Sequence, residues 1–331
     1  MKTKAVILFQ LVLLVSCNDQ RLNFDGGIIP PVPVNFTSVN STYDDYNSDL
    51  DIIWNWKHFS LIFSTNRYSY GQQFDLTGYE GRIEANLLTG EFEMTAYARN
   101  YSVLDTINSP YNELGPYFTH DLDFPPMWKK GTGVNRFFYS TDINGSSDIY
   151  CCYYTNDDQD FVPAGNPVPL TAINTQSDEG YLTIHDSEAD QQETCYFMSD
   201  RNGNYDIWRA ASDKDMLIDQ STAVTVSKVD LISSGADDKC PFICGNMMVF
   251  TSNRDGGYGG FDLYYSVYKE GKWSAPANFG SDINTEYDEY RPVVVSTKEE
   301  GFLNDLMIFS SNRPGGYGLF DLYYVGIKRA D

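Results

Sequence analysis

The sequence predicts an all-β chain folded as a five-bladed β-propeller. Each blade is four-stranded and antiparallel, and an N-terminal strand completing the last blade closes the ring. Three observations predict this. Met307–Val325, MIFSSNRPGGYGLFDLYYV, is a near copy of Met248–Ser266, MVFTSNRDGGYGGFDLYYS, and self-similarity of this kind marks a repeat architecture. The pattern returns in looser form at Leu61 (LIFSTNRYSYGQQFDL), Phe137 (FFYSTDINGSSDIY) and Tyr196 (YFMSDRNGNYDIW). Lastly, the two ends match: Pro31–Tyr46, PVPVNFTSVNSTYDDY, parallels Ala275–Tyr290, APANFGSDINTEYDEY.

The elements follow in order. Aligned on Asn66, Asp142, Asp200, Asn253 and Asn312, the five units are about 50–80 residues apart. Each holds an apolar run, a Gly/Asn/Asp turn and a second run of β-branched and aromatic residues, which reads as a β-hairpin. A recurring loop precedes each hairpin within the chain, as in Ile283–Pro292 (INTEYDEYRP), and an apolar stretch such as Pro292–Ser296 then supplies an inner strand. A fourth strand follows the hairpin, as in Trp273–Phe279 (WSAPANF). Four strands per unit make a propeller blade. The fifth unit ends after its third strand, and the segment from Pro31 supplies the missing fourth. That closure leaves no long unpaired edge.

The N-terminus, MKTKAVILFQLVLLVSC, has Lys2 and Lys4 ahead of the apolar run Ala5–Val15, which is too short to span a bilayer. Leu14-Val15-Ser16-Cys17 resembles a lipobox. The expected division is a lipoprotein signal peptide over 1–16, a lipidated Cys17 and tether over 17–30, and the propeller over 31–331. The expected location is the cell envelope, at the outer membrane. Cys151, Cys152, Cys195, Cys240 and Cys244 are too few for a disulfide framework and read as buried thiols. The formal charge of −23 argues against nucleic acid as a partner.

Several residue sets are candidates for a site. Asp45, Glu113, Glu179, Asp238 and Glu289 share one offset, before the inner strand of each blade. They read either as an acidic ring around the channel mouth, for a cation or basic peptide, or as caps of their own turns. Arg67 with Asp75, Arg201 with Asp206, Arg254 with Asp262 and Arg313 with Asp321 recur in the hairpins, and read as ion pairs clamping each turn. Blade two has Ile143 in place of the arginine. Asp142, Asn144 and Asp148 alternate oxygen ligands as in part of a calcium loop, the one cofactor considered. Many of the 25 Tyr and 20 Phe residues pack in strands. Others, including Tyr68, Tyr70, Tyr258 and Tyr317, fall in turns, where aromatic rings suit partner contacts or sugar stacking. The insert Tyr97–Lys130 is the longest departure from the repeat. His58, His120 and His185 show no metal spacing.

The hairpin resembles the TolB-type, WD-like propeller repeat, with its signature S-[DN]-R-x-G-x-x-D-[IL]-[YW]. Its sharpest form, SNRPGGYG-x-FDLYY together with GKWSAPANFGSDINTEYDEYRP, is similar to repeats in outer-membrane lipoproteins and OmpA-linked proteins of Bacteroidetes. The resemblance implies a lipid-anchored, non-catalytic propeller that binds a protein or envelope component. The alternatives are glycan binding at the surface and a five-bladed glycoside hydrolase, which needs two carboxylates in different environments.

Overall fold

The structure, a computed structural model, describes residues 27–53, 57–86, 89–119, 135–157, 160–187, 192–214 and 216–330. The leader, Cys17 and most of the tether lie outside these residues, as do Trp54, Trp56, Trp128 and His120.

Among the described residues the chain forms five antiparallel sheets arranged as blades. It enters through β1 (Val34–Asn35). Blade one is β2 (Asp45–Ile53), β3 (His58–Thr65), β4 (Asp75–Asn86) and β5 (Glu91–Ala98). A short helix, α1 (Ser102–Ile107), leads to blade two: β6 (Glu113–Thr119), β7 (Asn135–Thr141) and β8 (Asp148–Asp157). Its outer edge is split between β9 (Asp160–Pro163) and β10 (Val168–Pro169), both paired with β8. Blade three is β11 (Glu179–Ser187), β12 (Gln192–Ser199), β13 (Asp206–Ala211) and β14 (Thr225–Lys228). Blade four is β15 (Asp238–Cys244), β16 (Met247–Ser252) and β17 (Asp262–Lys269), again with a split edge, β18 (Lys272–Trp273) and β19 (Ala277–Asn278). Blade five is β20 (Glu289–Val295), β21 (Asp305–Ser311) and β22 (Asp321–Ile327), with β1 as its fourth strand. There Val34 pairs with Tyr324 and Asn35 with Tyr323.

The second strand of each blade is sandwiched between neighbours and is apolar on both faces. Every residue of β7, β16 and β21 is buried, as expected for a strand covered on both sides. Phe63, Phe137, Phe197, Phe250 and Phe309 all lie fully buried between blades.

The residue on which the repeats align is a latch between blades. Asn66, Asp142, Asp200, Asn253 and Asn312 each accept the N–H of an acid or amide in the loop before their own blade: Asp44, Asn112, Asp178, Asp237 and Asp288. Those loop residues in turn accept an N–H from the preceding blade's hairpin, from Phe320, Phe74, Ser147, Tyr205 and Phe261. The latch from Phe320 to Asp44 joins blade five to blade one, so the ring closes by the same contact that links every other pair. No helix among the described residues is long and apolar enough to cross a membrane.

Candidate functional site at the inner strands

Asp45, Glu113, Glu179, Asp238 and Glu289 each begin an inner strand and each is fully buried. They do not line an open mouth. Each turns back into its own blade and accepts the N–H of a Ser or Thr four residues upstream: Ser41, Ser109, Thr175, Ser234 and Thr285. The expected cation or peptide socket is therefore corrected. A carboxylate whose lone pairs already meet donors within its turn is unavailable to a ligand.

The arginine pairing is also corrected. Arg67 binds Asp45 at 2.5 Å, Arg201 binds Glu179 at 3.0 Å, Arg254 binds Asp238 at 2.5 Å and Arg313 binds Glu289 at 2.9 Å. The guanidinium folds back from the turn toward the start of the inner strand, away from Asp75, Asp206, Asp262 and Asp321. Its Nη2 also donates to the loop carbonyls of Val39, Ile173, Ile232 and Ile283. Its plane lies over two rings of its own hairpin, such as Phe250 and Tyr264 for Arg254 and Phe309 and Tyr323 for Arg313, a cation–π arrangement.

The hairpin aspartates have separate work. Asp262 accepts the N–H groups of Tyr258 and Gly259, and Asp321 those of Tyr317 and Gly318. Asp206 pairs with Lys228 and Asp75 accepts from Gln73.

Blade two keeps the carboxylate and lacks the arginine. Glu113 accepts from the Ser109 hydroxyl and N–H and the Thr141 hydroxyl. Burial pushes its carboxyl up to about 7, with the Ser109 bonds pulling it back. The calcium reading of the neighbouring turn is corrected too. Asp142 commits both oxygens to Asn112, and the Asn144 amide bridges Asp148 and Tyr150. Among the described residues no group of three or more His, Cys, Asp or Glu side chains is placed to hold a metal. Cys151, Cys152, Cys195 and Cys240 are buried free thiols, and Cys244 is half-buried and free.

The axis itself holds residues that the repeat pattern does not mark. Two positions after each ring carboxylate the inner strand takes a left-handed conformation, at Asn47, Gly115, Tyr181, Cys240 and Arg291, with φ between 47° and 58°. Each inner strand shifts register there against its neighbour, which is a β-bulge repeated five times. Only one of the five is glycine, although the conformation is costly for other residues. A Cβ on Gly115 would meet the Tyr181 ring at 2.6 Å. Arg291, fully buried, crosses the centre: Nη1 donates to the Pro241 carbonyl and Nη2 to the Pro116 carbonyl. It also lies against the rings of Tyr181 and Phe242.

Asp49 stands two residues beyond the bulge of blade one. Its Oδ2 accepts the N–H of Phe118 from blade two at 2.8 Å. Burial raises its carboxyl to about 7 against the pull of Arg291. Among the described residues, Asp49 and Glu113 are the two fully or almost fully buried inner-strand carboxyl groups that no hairpin arginine neutralises.

No protein-family model matches the chain, and no curated protein does. Solved structures do. The chain is similar to an α-L-arabinofuranosidase from Podospora anserina in complex with cellotriose, at TM-score 0.50 and 10% identity, over 92% of this chain and 97% of that one. A thermostable family-43 glycoside hydrolase matches at TM-score 0.57 and 10% identity, over 90% and 94%. A fructofuranosidase from Schwanniomyces occidentalis, complexed with fructose, matches at TM-score 0.55 and 14% identity, over 89% of this chain and 58% of that one. These neighbours are glycoside hydrolases. They overturn the TolB-type, WD-like assignment, and with it the expectation of a non-catalytic module that docks an envelope protein. At 10–14% identity the likeness establishes the five-bladed frame.

Proposed function

We propose that this propeller acts on glycans and that its reaction is hydrolysis of a glycosidic bond. The observation that carries the reading is the frame, shared over about nine-tenths of the chain with five-bladed hydrolases whose structures hold cellotriose or fructose. Glycoside hydrolysis needs one carboxylic acid to protonate the leaving oxygen. A second carboxylate either attacks the anomeric carbon or activates water. The acid must keep its proton near neutral pH, which burial can arrange. Asp49, on the inner strand β2, has a carboxyl raised to about 7, whereas Glu113 is closed within its own turn by Ser109 and Thr141. Asp49, close to the axis and beside Arg291, is the candidate acid. Retention at an envelope membrane through a lipid on Cys17 belongs to the same proposal, and detergent phase partition of a Cys17→Ala variant tests it.

The reaction is tested by incubating the purified protein with arabino-, xylo-, cello- and fructo-oligosaccharides and reading products by mass spectrometry. Cleavage is expected, with Asp49→Asn lowering kcat by about 10²–10⁴-fold while the fold persists. Absence of cleavage across the panel overturns the hydrolase reading, and full activity in Asp49→Asn overturns Asp49 as its acid.

A further inference from the structure

Seven tyrosines among the described residues are exposed, and six of them lie on one face of the propeller: Tyr68, Tyr70, Tyr111, Tyr258, Tyr287 and Tyr317. The seventh, Tyr97, is on the outer strand β5. The common face follows from the strand directions. Each inner strand starts where the second strand ends, as in the pairs Asp45 with Thr65 and Glu289 with Ser311. The loop before the inner strand and the turn after the second strand therefore emerge together. Tyr111 and Tyr287 come from the loops, and the other four from the turns.

The six are not spread evenly around the ring. Blade three carries Ser177 in its loop and Asn202-Gly203-Asn204 in its turn, and the turn of blade two carries Ile143. The tyrosines instead form an arc from the turn of blade four, through blades five and one, to the loop of blade two. Contacts make the arc continuous. A Cβ on Gly259, beside Tyr258, would meet the Tyr287 carbonyl at 2.3 Å, and one on Gly318, beside Tyr317, would meet the Tyr43 carbonyl at 2.0 Å. On the far side of blade one, the Gln73 amide donates to the Ser109 carbonyl in the loop that bears Tyr111. A purely structural residue would recur in all five blades, as the ring carboxylates do. This arc does not.

The rings are exposed but their backbones are fixed. The Tyr258 and Tyr317 N–H groups donate to Asp262 and Asp321, those of Tyr111 and Tyr287 to the Ser109 and Thr285 hydroxyls, and the Tyr68 hydroxyl meets that of Thr77. Fixed, amphipathic rings bind with little loss of conformational freedom. A tyrosine ring offers an apolar face with a polar rim, which matches the C–H face and hydroxyl rim of a pyranose or furanose.

The charge of the face limits which sugars fit. Asp255 and Glu286 are exposed among the tyrosines. The arginines of these hairpins are committed to buried carboxylates. Lys239, which lies over the Phe261 ring at the blade-four end of the arc, is itself paired with Asp237 at 3.4 Å, so in a chain of net charge −23 the described residues of the arc favour a neutral sugar over a uronate or sulfate.

We infer that the arc is a binding platform for a neutral oligosaccharide, long enough to run across several blades. The inference rests on the glycan reading above and names the sugar class and the surface that receives it.

Titration calorimetry with xylohexaose, cellohexaose and oligogalacturonate tests it, using the full chain, the double variant Tyr258→Ala/Tyr317→Ala, and Tyr97→Ala as a control. Wild type and Tyr97→Ala should bind at least one neutral hexaose and bind oligogalacturonate more weakly. The double variant should lose tenfold or more in affinity with an unchanged melting temperature. Unchanged affinity in the double variant overturns the platform even if hydrolysis is observed, and so does tighter binding of oligogalacturonate or failure of wild type to bind either neutral sugar. Binding lost in the double variant, without cleavage by wild type, supports the platform and removes the hydrolase reading alone.

Discussion

Glu113 differs from its four counterparts by one missing side chain, and that difference has a pH signature. In an unfolded chain its carboxyl ionises near 4.3, whereas in the fold burial holds it at about 7. Between those values the folded state keeps a proton that the unfolded state has released, so this group's contribution to stability falls as pH rises and levels off above 7. Glu113→Gln cannot ionise. Its melting temperature should overtake that of the wild type between pH 5 and pH 8, by about 1–2 °C for each kcal/mol recovered in a propeller of this size. Ile143→Arg should act in the same direction, because position 143 in blade two matches Arg201 in blade three, whose guanidinium reaches Glu179 at 3.0 Å. Its gain should be larger at pH 8 than at pH 5. The reverse experiment is Arg313→Ala, which leaves Glu289 buried without its cation and should cost about 3 kcal/mol in denaturant unfolding. Adding Glu289→Gln should recover part of that loss, and the double-mutant cycle measures the pair. At this scale the sequence is informative about residue types and poor at partners. Four of the five blades show an arginine and a nearby aspartate, and proximity along the chain favours Asp75 or Asp262. The true partner, Asp45 or Asp238, starts the inner strand upstream, and only the closed blade brings it within reach.

The hairpin is the element that carries most of the repeat signature, and its glycines fall into two physical classes. Gly145 and Gly256 have φ of 94° and 90°, with nothing within 4 Å of the point a Cβ would occupy. There an alanine meets only backbone strain, on the order of 1 kcal/mol. Gly259 and Gly318 stand against the backbone carbonyls of Tyr287 and Tyr43 in the next blade, and a carbonyl held in a latch cannot move aside cheaply. Gly318→Ala should therefore destabilise the protein by roughly 2–3 kcal/mol, clearly more than Gly145→Ala, as read by the two denaturation midpoints. The second class explains why the G-G-Y-G form is sharpest in blades four and five: its later glycine is the close-approach point between blades. The bulge on each inner strand was illegible for the opposite reason. Asn47, Gly115, Tyr181, Cys240 and Arg291 share a backbone conformation and no side-chain chemistry, so a search for repeated residue types passes over them. Asp49, which is held beside that bulge, has no counterpart acid in the other blades and was missed with it.

At the scale of the whole molecule, the blade number was legible because five hairpins can be counted, and the terminal match pointed to the strand that completes blade five. The function was less legible. The repeat signature describes how blades latch, a requirement that propellers of unrelated activity share, and so it led to a binding family while the frame superposes on hydrolases. The closure itself makes a prediction about chain order. β1 contributes two paired residues, but the segment around it does more. Phe36 is buried and its N–H donates to the Leu322 carbonyl, Gly326 donates to the Pro30 carbonyl, and Asn304 exchanges hydrogen bonds with the backbone of Ile29. Deleting residues through Phe36 removes these contacts and bares the edge of β22, a strand buried along its whole length. An exposed, apolar edge invites pairing with another chain. The truncated protein should lose its cooperative thermal transition or aggregate. The same residues moved to the other end should restore it. Pro30 already lies beside Gly326, so a permutant in which residues 27–43 follow residue 330 through a short linker makes β22 and β1 an ordinary hairpin. That permutant should melt cooperatively near the wild-type temperature, because it keeps every contact of blade five and changes only which bond of the ring is left open. If truncation and permutation both melt like the wild type, blade five does not need its N-terminal strand and the ring is held by the latches alone.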